Sequence, residues 1–294
     1  PGTIRHYNSA AGVINRYLDH AKKNDISFDE IDLQFYYDFR DFAYQVEKLS
    51  DNYFGTAVKF LKTVMTEAAD EGLHKNNIHN HKRFVKVRVD VENIYLNQDQ
   101  LQKLFDKDLS DNPKLDRVRD LFLVGCWTGL RFSDFTNIKA SNIDGGFIEI
   151  KTQKTGETVA IPIHSTVKAI MHKYEGKTTN SLPPGISNVK LNLYVKELGK
   201  AVEFNDIITL EKAKAGKVDK ISHPLHELIT THTARRSFAS NMFRLGVPSM
   251  VIMAVTGHRT EASFMKYIKV SPREKATIMA EIWQRQAMKV VNGN

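Results

Sequence analysis

Residues 232–240 read HTARRSFAS, a histidine and two arginines within five residues at what reads as the start of a helix. A helix N-terminus already carries partial positive charge and unpaired N–H groups. Extra cations there are unfavourable until an anion arrives, and the natural anion for such a seat is a phosphate or sulfate. His232 and Arg235 lie three residues apart and so share one helical face. The chemistry this points to is the handling of a phosphate.

Other residues in the same half of the chain could join them. TGLRFSD places Arg131 just after a glycine-ended apolar run, with Asp134 as a possible ion-pair partner. KTGE places Lys154 at the turn of a hairpin, and Lys151 is its neighbouring competitor. TGHRT sets His258 behind Gly257, and Tyr267 follows nine residues later. Each also has an ordinary reading: a helix-start ion pair for Arg131, a buried structural histidine for His232, helix packing for Tyr267. Arg236 reads as a contact to a phosphate backbone or a surface charge. His223 and His226 have metal-like spacing, but no carboxylate or cysteine cluster accompanies them, so they read as peripheral.

Taken in order, TGLRFSD, QKTGETVAIPI, HTARRSFAS and TGHRTEASFMKY resemble the signatures of the tyrosine recombinases, the phage integrase family. That family's pattern is an arginine, a hairpin lysine, His-x-x-Arg, a second His or Trp, then a tyrosine. Arg131, Lys154, His232, Arg235, His258 and Tyr267 match it over roughly residues 93–285. The resemblance implies transesterification at a DNA phosphodiester, with Tyr267 as nucleophile, a 3′-phosphotyrosine intermediate and a free 5′-hydroxyl. The covalent intermediate would conserve the bond, so rejoining needs no ATP. A phenol of pKa ~10 is a poor nucleophile at neutral pH. Arg131 and Arg235 would therefore pair the phosphate's charge. Lys154 would serve as general acid to the 5′-oxygen, His232 as proton carrier or phosphate contact, and His258 as donor to the phosphate. Side chains supply the cations in this scheme, so no metal or other cofactor is implied. Asp134 stands where the family often has an acidic residue that holds the arginine.

The elements that must position these residues are legible along the chain. Apolar residues Ile4, Tyr7, Val13, Ile14, Tyr17 and Leu18 recur at helical spacing, and FYYDFRDFAYQVEKL and FGTAVKFLKTVMTEAADEG continue the pattern up to Gly72. They predict a small helical bundle. HKRFVKVR is basic and alternating and reads as an extended connector, either solvated or strapped across a phosphate backbone. Asn97 with Gln100 is a capping-box pattern, and Asn112-Pro113 opens a helix into the apolar LFLVGCW. GGFIEIKTQKTGETVAIPI predicts a hairpin turning at Gly156. NDIITLEKAKAGKVDKIS predicts a second hairpin with AKAG at its tip. The chain is helical again after residue 230. The fold class is mainly α. With the resemblance, it becomes a SAM-like core-binding bundle (1–85), a basic linker (86–92), and a mixed α/β catalytic domain of the tyrosine recombinase and topoisomerase IB type with small β-hairpins (93–294).

The bulk numbers agree. The chain has 294 residues, 41% hydrophobic, with no apolar run long enough to cross a membrane. Its one cysteine, Cys126, excludes an internal disulfide framework and fits a reducing, cytoplasmic setting. Residues 1–90 hold 13 Lys+Arg and 13 Asp+Glu; residues 91–294 hold 29 and 21 and carry the whole net charge of +8. A moderate positive charge suits a polyanionic partner.

The expected partners are double-stranded DNA attachment sites, contacted by Lys82, Arg83, Lys86, Arg88 and Arg236, with accessory DNA-bending proteins. The resemblance implies a homotetramer on DNA and a monomer or weak association without it. A C-terminal helix bearing Ile278, Ile282, Trp283 and Met288 would dock on the neighbouring protomer. The expected role is integration and excision of a mobile element such as a conjugative transposon, in the bacterial nucleoid. The long second hairpin and TTHTARRSFAS resemble integrases of Bacteroides-type elements. A start at Pro1 suggests a core-plus-catalytic piece of a chain that also carries an arm-binding domain. The competing readings are a type IB topoisomerase, where Lys-x-x-Arg would replace His-x-x-Arg, and a silent DNA-binding protein.

Overall fold

The computed structural model describes residues 2–89, 93–214 and 217–291. The chain divides into two units: residues 1–92 with 211–221, and residues 93–210 with 222–294.

The first unit is built on three helices, α1 (Gly2–His20), α2 (Leu33–Asp41) and α3 (Asp51–Asp70). Asp32 caps α2 by accepting from the Phe35 amide at 2.7 Å, and Ser50 caps α3. A π turn over Phe42–Val46 extends α2. The helices bury Val13, Tyr17, Phe35, Phe39, Phe54, Val58 and Met65. Tyr17 meets Phe35, Phe39 and Phe42 edge-on at centroid distances of 5.4–5.6 Å. Fully burying one such ring stabilises by roughly 1.5–3 kcal/mol.

The basic segment behaves differently from a free connector. Residues 84–89 form no helix or strand and are fastened onto α2 and α3. Phe84 is buried in the bundle core. Lys62 Nζ donates to the Phe84 carbonyl (3.1 Å) and Tyr36 Oη to that of Val85 (3.0 Å). Asn52 exchanges two bonds with the Val89 backbone (2.9 and 3.0 Å). Gly55 makes this approach feasible: a Cβ there would lie 1.8 Å from the Val87 carbonyl oxygen. Lys82, Arg83, Lys86 and Arg88 are left exposed along the strap. Residues 90–92 of the expected linker lie outside the described residues.

The second unit starts with α4 (Gln98–Asp106), whose Asn97–Gln100 capping box closes at 2.8 and 2.9 Å. Asn112 caps α5 (Pro113–Thr128), which buries residues on all sides, Leu121 to Cys126 among them. A helix apolar all round must be central, and α5 packs against α4, α7, α8 and α10. After α6 (Phe132–Phe135) come three antiparallel strands in order: β1 (Ile143–Asp144), β2 (Phe147–Lys151) and β3 (Thr158–Pro162), with Ile148 opposite Ile161 and Ile150 opposite Val159. At two residues, β1 carries no readable alternation in the sequence. Helices α7 (Ser165–Tyr174) and α8 (Asn188–Ala201) follow. The second hairpin is β4 (Ile207–Lys214) and β5 (Lys217–Pro224), and Ala215 and Gly216 of its expected AKAG tip lie outside the described residues. The chain ends in α9 (Leu225–Leu228), α10 (Thr231–Arg244), α11 (Ser249–Thr256), α12 (Glu261–Met265) and α13 (Pro272–Val291).

Candidate active site

Two left-handed glycines deliver side chains to one place. Gly129 (φ 66°) ends α5 and Gly257 (φ 67°) ends α11; Arg131 stands two residues after the first and His258 directly after the second. Gly129 also sits under the Phe238 ring, which a Cβ would overlap at 2.4 Å. This is the close packing of α5 against α10.

Arg235 projects from α10 and is 1% exposed. Its Nη1 donates to the Gly129 carbonyl at 2.8 Å and its Nη2 to His258 Nε2 at 2.9 Å. Its Cζ stands 5.3 Å from the Tyr267 ring centroid. Its Nε is buried with no hydrogen-bond partner, and so is Nη1 of Arg131. Burial and the repulsion of Arg131 push the Arg235 guanidinium down to about 10, against the opposing pull of Tyr267 and Asp134. It therefore stays charged at neutral pH. Two buried guanidinium N–H groups without partners are costly, and they suit an anion.

His258 completes a directional chain. Its Nε2 accepts from Arg235, which leaves Nδ1–H to donate to Thr256 Oγ1 at 2.7 Å, and Thr256 donates onward to the Ile252 carbonyl at 2.6 Å. Burial, then the charges of Arg235 and Arg131, push the imidazole down to about 3, so it is neutral. The His258 and Tyr267 rings lie 4.9 Å apart, within the same chain. The Tyr267 backbone is held by Ser240, whose Oγ donates to its carbonyl (3.1 Å) and accepts from the Lys269 amide (3.0 Å). Ser240 ends the HTARRSFAS stretch but carries no distinguishing signal there.

His232 sits exposed in the first turn of α10. Partial desolvation, then the charges of Arg236, Arg235, Lys154 and Arg131, hold its imidazole below the usual range. Lys154 is exposed at the β2–β3 turn, and Lys151 is exposed at the end of β2. Arg131, Lys154, His232, Arg235, His258 and Tyr267 thus all contribute to one neighbourhood.

Three expectations are corrected. Arg131 does not pair with Asp134: among the described residues no ion pair joins them, and the buried Asp134 instead accepts from the Gln153 amide at 3.0 Å. The aspartate is placed to hold the hairpin turn. Arg236 is not a free surface charge. It is half-buried, its Nε donates to the Ile94 carbonyl (2.9 Å), and burial pushes it down to about 10. The third concerns the connector, which is pinned as described above. His223 pairs with Glu227, and His226 bonds the Phe204 carbonyl. Among the described residues no cluster of three His, Cys, Asp or Glu is arranged for a metal, and no helix is long and apolar enough to cross a membrane.

Two arginines with buried, unpartnered N–H groups lie with a tyrosine on a helical scaffold that also carries a lysine-bearing hairpin. Residues 95–274 match the phage integrase family and residues 1–85 match the phage integrase SAM-like domain. The chain belongs to the phage integrase family. Tyrosine recombinase XerA of Pyrococcus furiosus is 25% identical over 180 residues, 60% of this chain and 58% of that protein. A tyrosine recombinase XerC-like protein of Caldanaerobacter subterraneus subsp. tengcongensis is 23% identical over 247 residues, 74% of this chain and 62% of that protein. The chain spans about three-fifths of the length of the curated relatives it matches. The fold is shared with a lambda integrase (75–356) dimer bound to a COC′ core site (18% identity, TM-score 0.68, 91% of this chain and 88% of that one). It is also shared with the Tn1549 transposon integrase in complex with circular intermediate DNA (15% identity, TM-score 0.62, 90% of each chain).

Proposed function

We propose that the chain is a tyrosine-type site-specific recombinase that cleaves and rejoins double-stranded DNA at attachment sites through a 3′-phosphotyrosine. The observation that carries this is the buried Arg235, bonded to Gly129 and His258, facing Tyr267, and holding one N–H in reserve beside the unpaired N–H of Arg131. The scissile phosphate sits between the two guanidiniums, which bind its non-bridging oxygens. Tyr267 Oη attacks phosphorus; the Tyr–O–P bond forms as the P–O5′ bond breaks. His232, held neutral near pH 7, takes the phenolic proton. Lys154 gives a proton to the departing 5′-oxygen. With Nδ1–H committed to Thr256, His258 Nε2 donates to the phosphate only once the ring is protonated, and the arriving negative charge favours that form. Rejoining runs the same steps backwards.

Residues 1–85 act as the core-binding domain, 86–92 as the join and 93–294 as the catalytic domain. Lys82, Arg83, Lys86 and Arg88 contact phosphates along one strand, and α3 contributes Lys59 and Lys62 to a groove of about 420 Å³ that Lys86 also lines. Arg236, spent on Ile94 and Thr233, acts as a strut for α10. The biological substrate is the end of a mobile element, with the long β4–β5 hairpin favouring the Bacteroides type. Assembly on DNA is tetrameric, aided by DNA-bending proteins.

The test is to incubate the chain in EDTA with duplex DNA carrying the ends of its element and to denature in SDS. A covalent protein–DNA adduct that Tyr267→Phe lacks is the expected result. An adduct that persists in Tyr267→Phe sinks the assignment of the nucleophile.

A further inference from the structure

The turn that carries Lys154 is held from two sides. Internally, the Thr152 amide donates to the Glu157 carbonyl (2.8 Å), the Gly156 amide to the Thr152 carbonyl (2.9 Å), and the Thr152 and Thr155 hydroxyls meet at 2.7 Å. Externally, the residue before Lys154 docks on α6: the Gln153 amide donates to Asp134 Oδ1 (3.0 Å) and Gln153 Nε2 to the Ser133 carbonyl (3.1 Å). The residue after it is gripped by Arg259, which donates to the Thr155 carbonyl and, through Nε, to Glu157 Oε1 at 2.8 Å. Helix α6 begins beside Arg131, and Arg259 follows His258. The two neighbours of Lys154 are therefore tied to the two segments that present the phosphate-binding groups.

We infer that Arg259, with Glu157 as its partner, is a positioning residue that sets the Lys154 turn in register with Arg131 and His258 for proton delivery to the leaving oxygen. The inference rests on the proposed role of Lys154 as general acid. The geometry leaves the Lys154 side chain free to reach while fixing where its backbone starts. Stability is a poor account of the pair, since Arg259 and Glu157 side chains are 64% and 46% exposed. Exposed pairs of this kind contribute little to folding. What the pair supplies is directional: two donors of one planar guanidinium grip two points of one turn, which a lysine cannot reproduce.

The experiment compares leaving groups. A nicked duplex is built on the sequence that the 294-residue chain selects from random DNA, in two forms: an ordinary 5′-bridging oxygen and a 5′-bridging sulfur at the scissile phosphate. A thiolate leaves without a proton, so loss of proton delivery slows only the oxygen form. Single-turnover cleavage is measured for the wild type, Tyr267→Phe, Lys154→Ala, Arg259→Ala, Arg259→Lys and Glu157→Gln. Arg259→Ala is expected to slow the oxygen substrate by roughly tenfold, a modest loss suited to a misplaced rather than missing group. It leaves the sulfur substrate within about twofold, with an unchanged melting temperature. Lys154→Ala shows the same pattern with a larger loss, Arg259→Lys fails to restore the rate, and Glu157→Gln, which keeps an acceptor oxygen, stays near wild type. Equal slowing on both substrates, or no slowing on either, overturns the role given to Arg259. Equal slowing by Lys154→Ala overturns the general acid beneath it. An absence of any Tyr267-dependent adduct from the wild type instead defeats the transesterase reading itself.

Discussion

At the scale of the residue, the site is a set of charges held without their counter-charge. Arg235 has little rotational freedom to spare, because Nη1 and Nη2 already donate to Gly129 and His258 while Nε is left without a partner. Arg235→Lys keeps the charge but loses the planar fork. Single-turnover adduct formation is expected to fall by about 100- to 1,000-fold, the usual loss for a preorganised donor at developing charge. DNA affinity, read in parallel by gel shift, should change far less. The neutral His258 makes a second prediction. Its folded value, about 3, lies below the unfolded value near 6.5. Above pH 6.5 both states are neutral and nothing is lost. As pH falls below 6.5 the unfolded state takes a proton that the folded state refuses, so stability declines, by up to about 1.4 kcal/mol per pH unit for this one proton. His258→Gln, compared with the wild type by urea unfolding at pH 7 and pH 5, should lose measurably less stability on acidification. An identical pH dependence would show that the imidazole titrates normally in the folded chain.

At the scale of the element, local chemistry explains what was readable. The Asn97 capping box, the Asn112-Pro113 helix start, the β2–β3 hairpin and the apolar central helix are each written within a few residues of one another, and each forms. The six candidate site residues stand in short, ordered motifs, and the fold brings those motifs to one neighbourhood although they lie far apart along the chain. What escaped was long-range and backbone-mediated. Asn52 holds Val89 across 37 residues, and Gly55 is a docking surface for a carbonyl. Spacing makes Asp134 a partner for Arg131, yet it accepts from an amide of the β2–β3 turn. No periodicity encodes such contacts. The strap yields a prediction at this scale. A methyl at position 55 must displace the Val87 carbonyl, so Gly55→Ala should destabilise the first unit by roughly 1–3 kcal/mol, as overpacking does. It should also raise amide exchange at Val89, whose N–H is bonded to Asn52. Exchange as slow as in the wild type would mean that the strap is held by other means.

At the scale of the whole molecule, charge and unpartnered apolar surface decide what the chain gathers. Residues 1–90 are electrically balanced, yet the strap concentrates four exposed cations in seven residues, 82–88. If Lys86 and Arg88 each neutralise a phosphate, replacing both with Gln should lower the slope of log K against log salt by roughly 2. An unchanged slope would remove the strap from the interface. The apolar side of the account lies in α13. Ile278 packs into the cluster of Phe238, Ile252 and Phe264, while Met279, Ile282 and Trp283 face outward, Trp283 at 64% exposure. Met288 lies outside the described side chains. The same unit carries an apolar groove of about 490 Å³ lined by Trp127, Ile161, Met242, Val251 and Val255. In the proposed assembly on DNA, the exposed Trp283 of one copy seats in this groove on its neighbour, the kind of contact from which closed symmetric assemblies form. DNA-bound sites would bring copies together at high local concentration, so the contact can be weak in free solution and still assemble. Replacing Ile282 and Trp283 with Ser should therefore leave the free chain's mass, folding and single-site binding unchanged. On DNA carrying paired sites it should abolish the proposed four-protomer complex and leave separately bound protomers. Light scattering on the same samples gives the stoichiometry directly. A full tetramer from the double variant would mean that α13 packs only on its own domain and that protomers meet through another face.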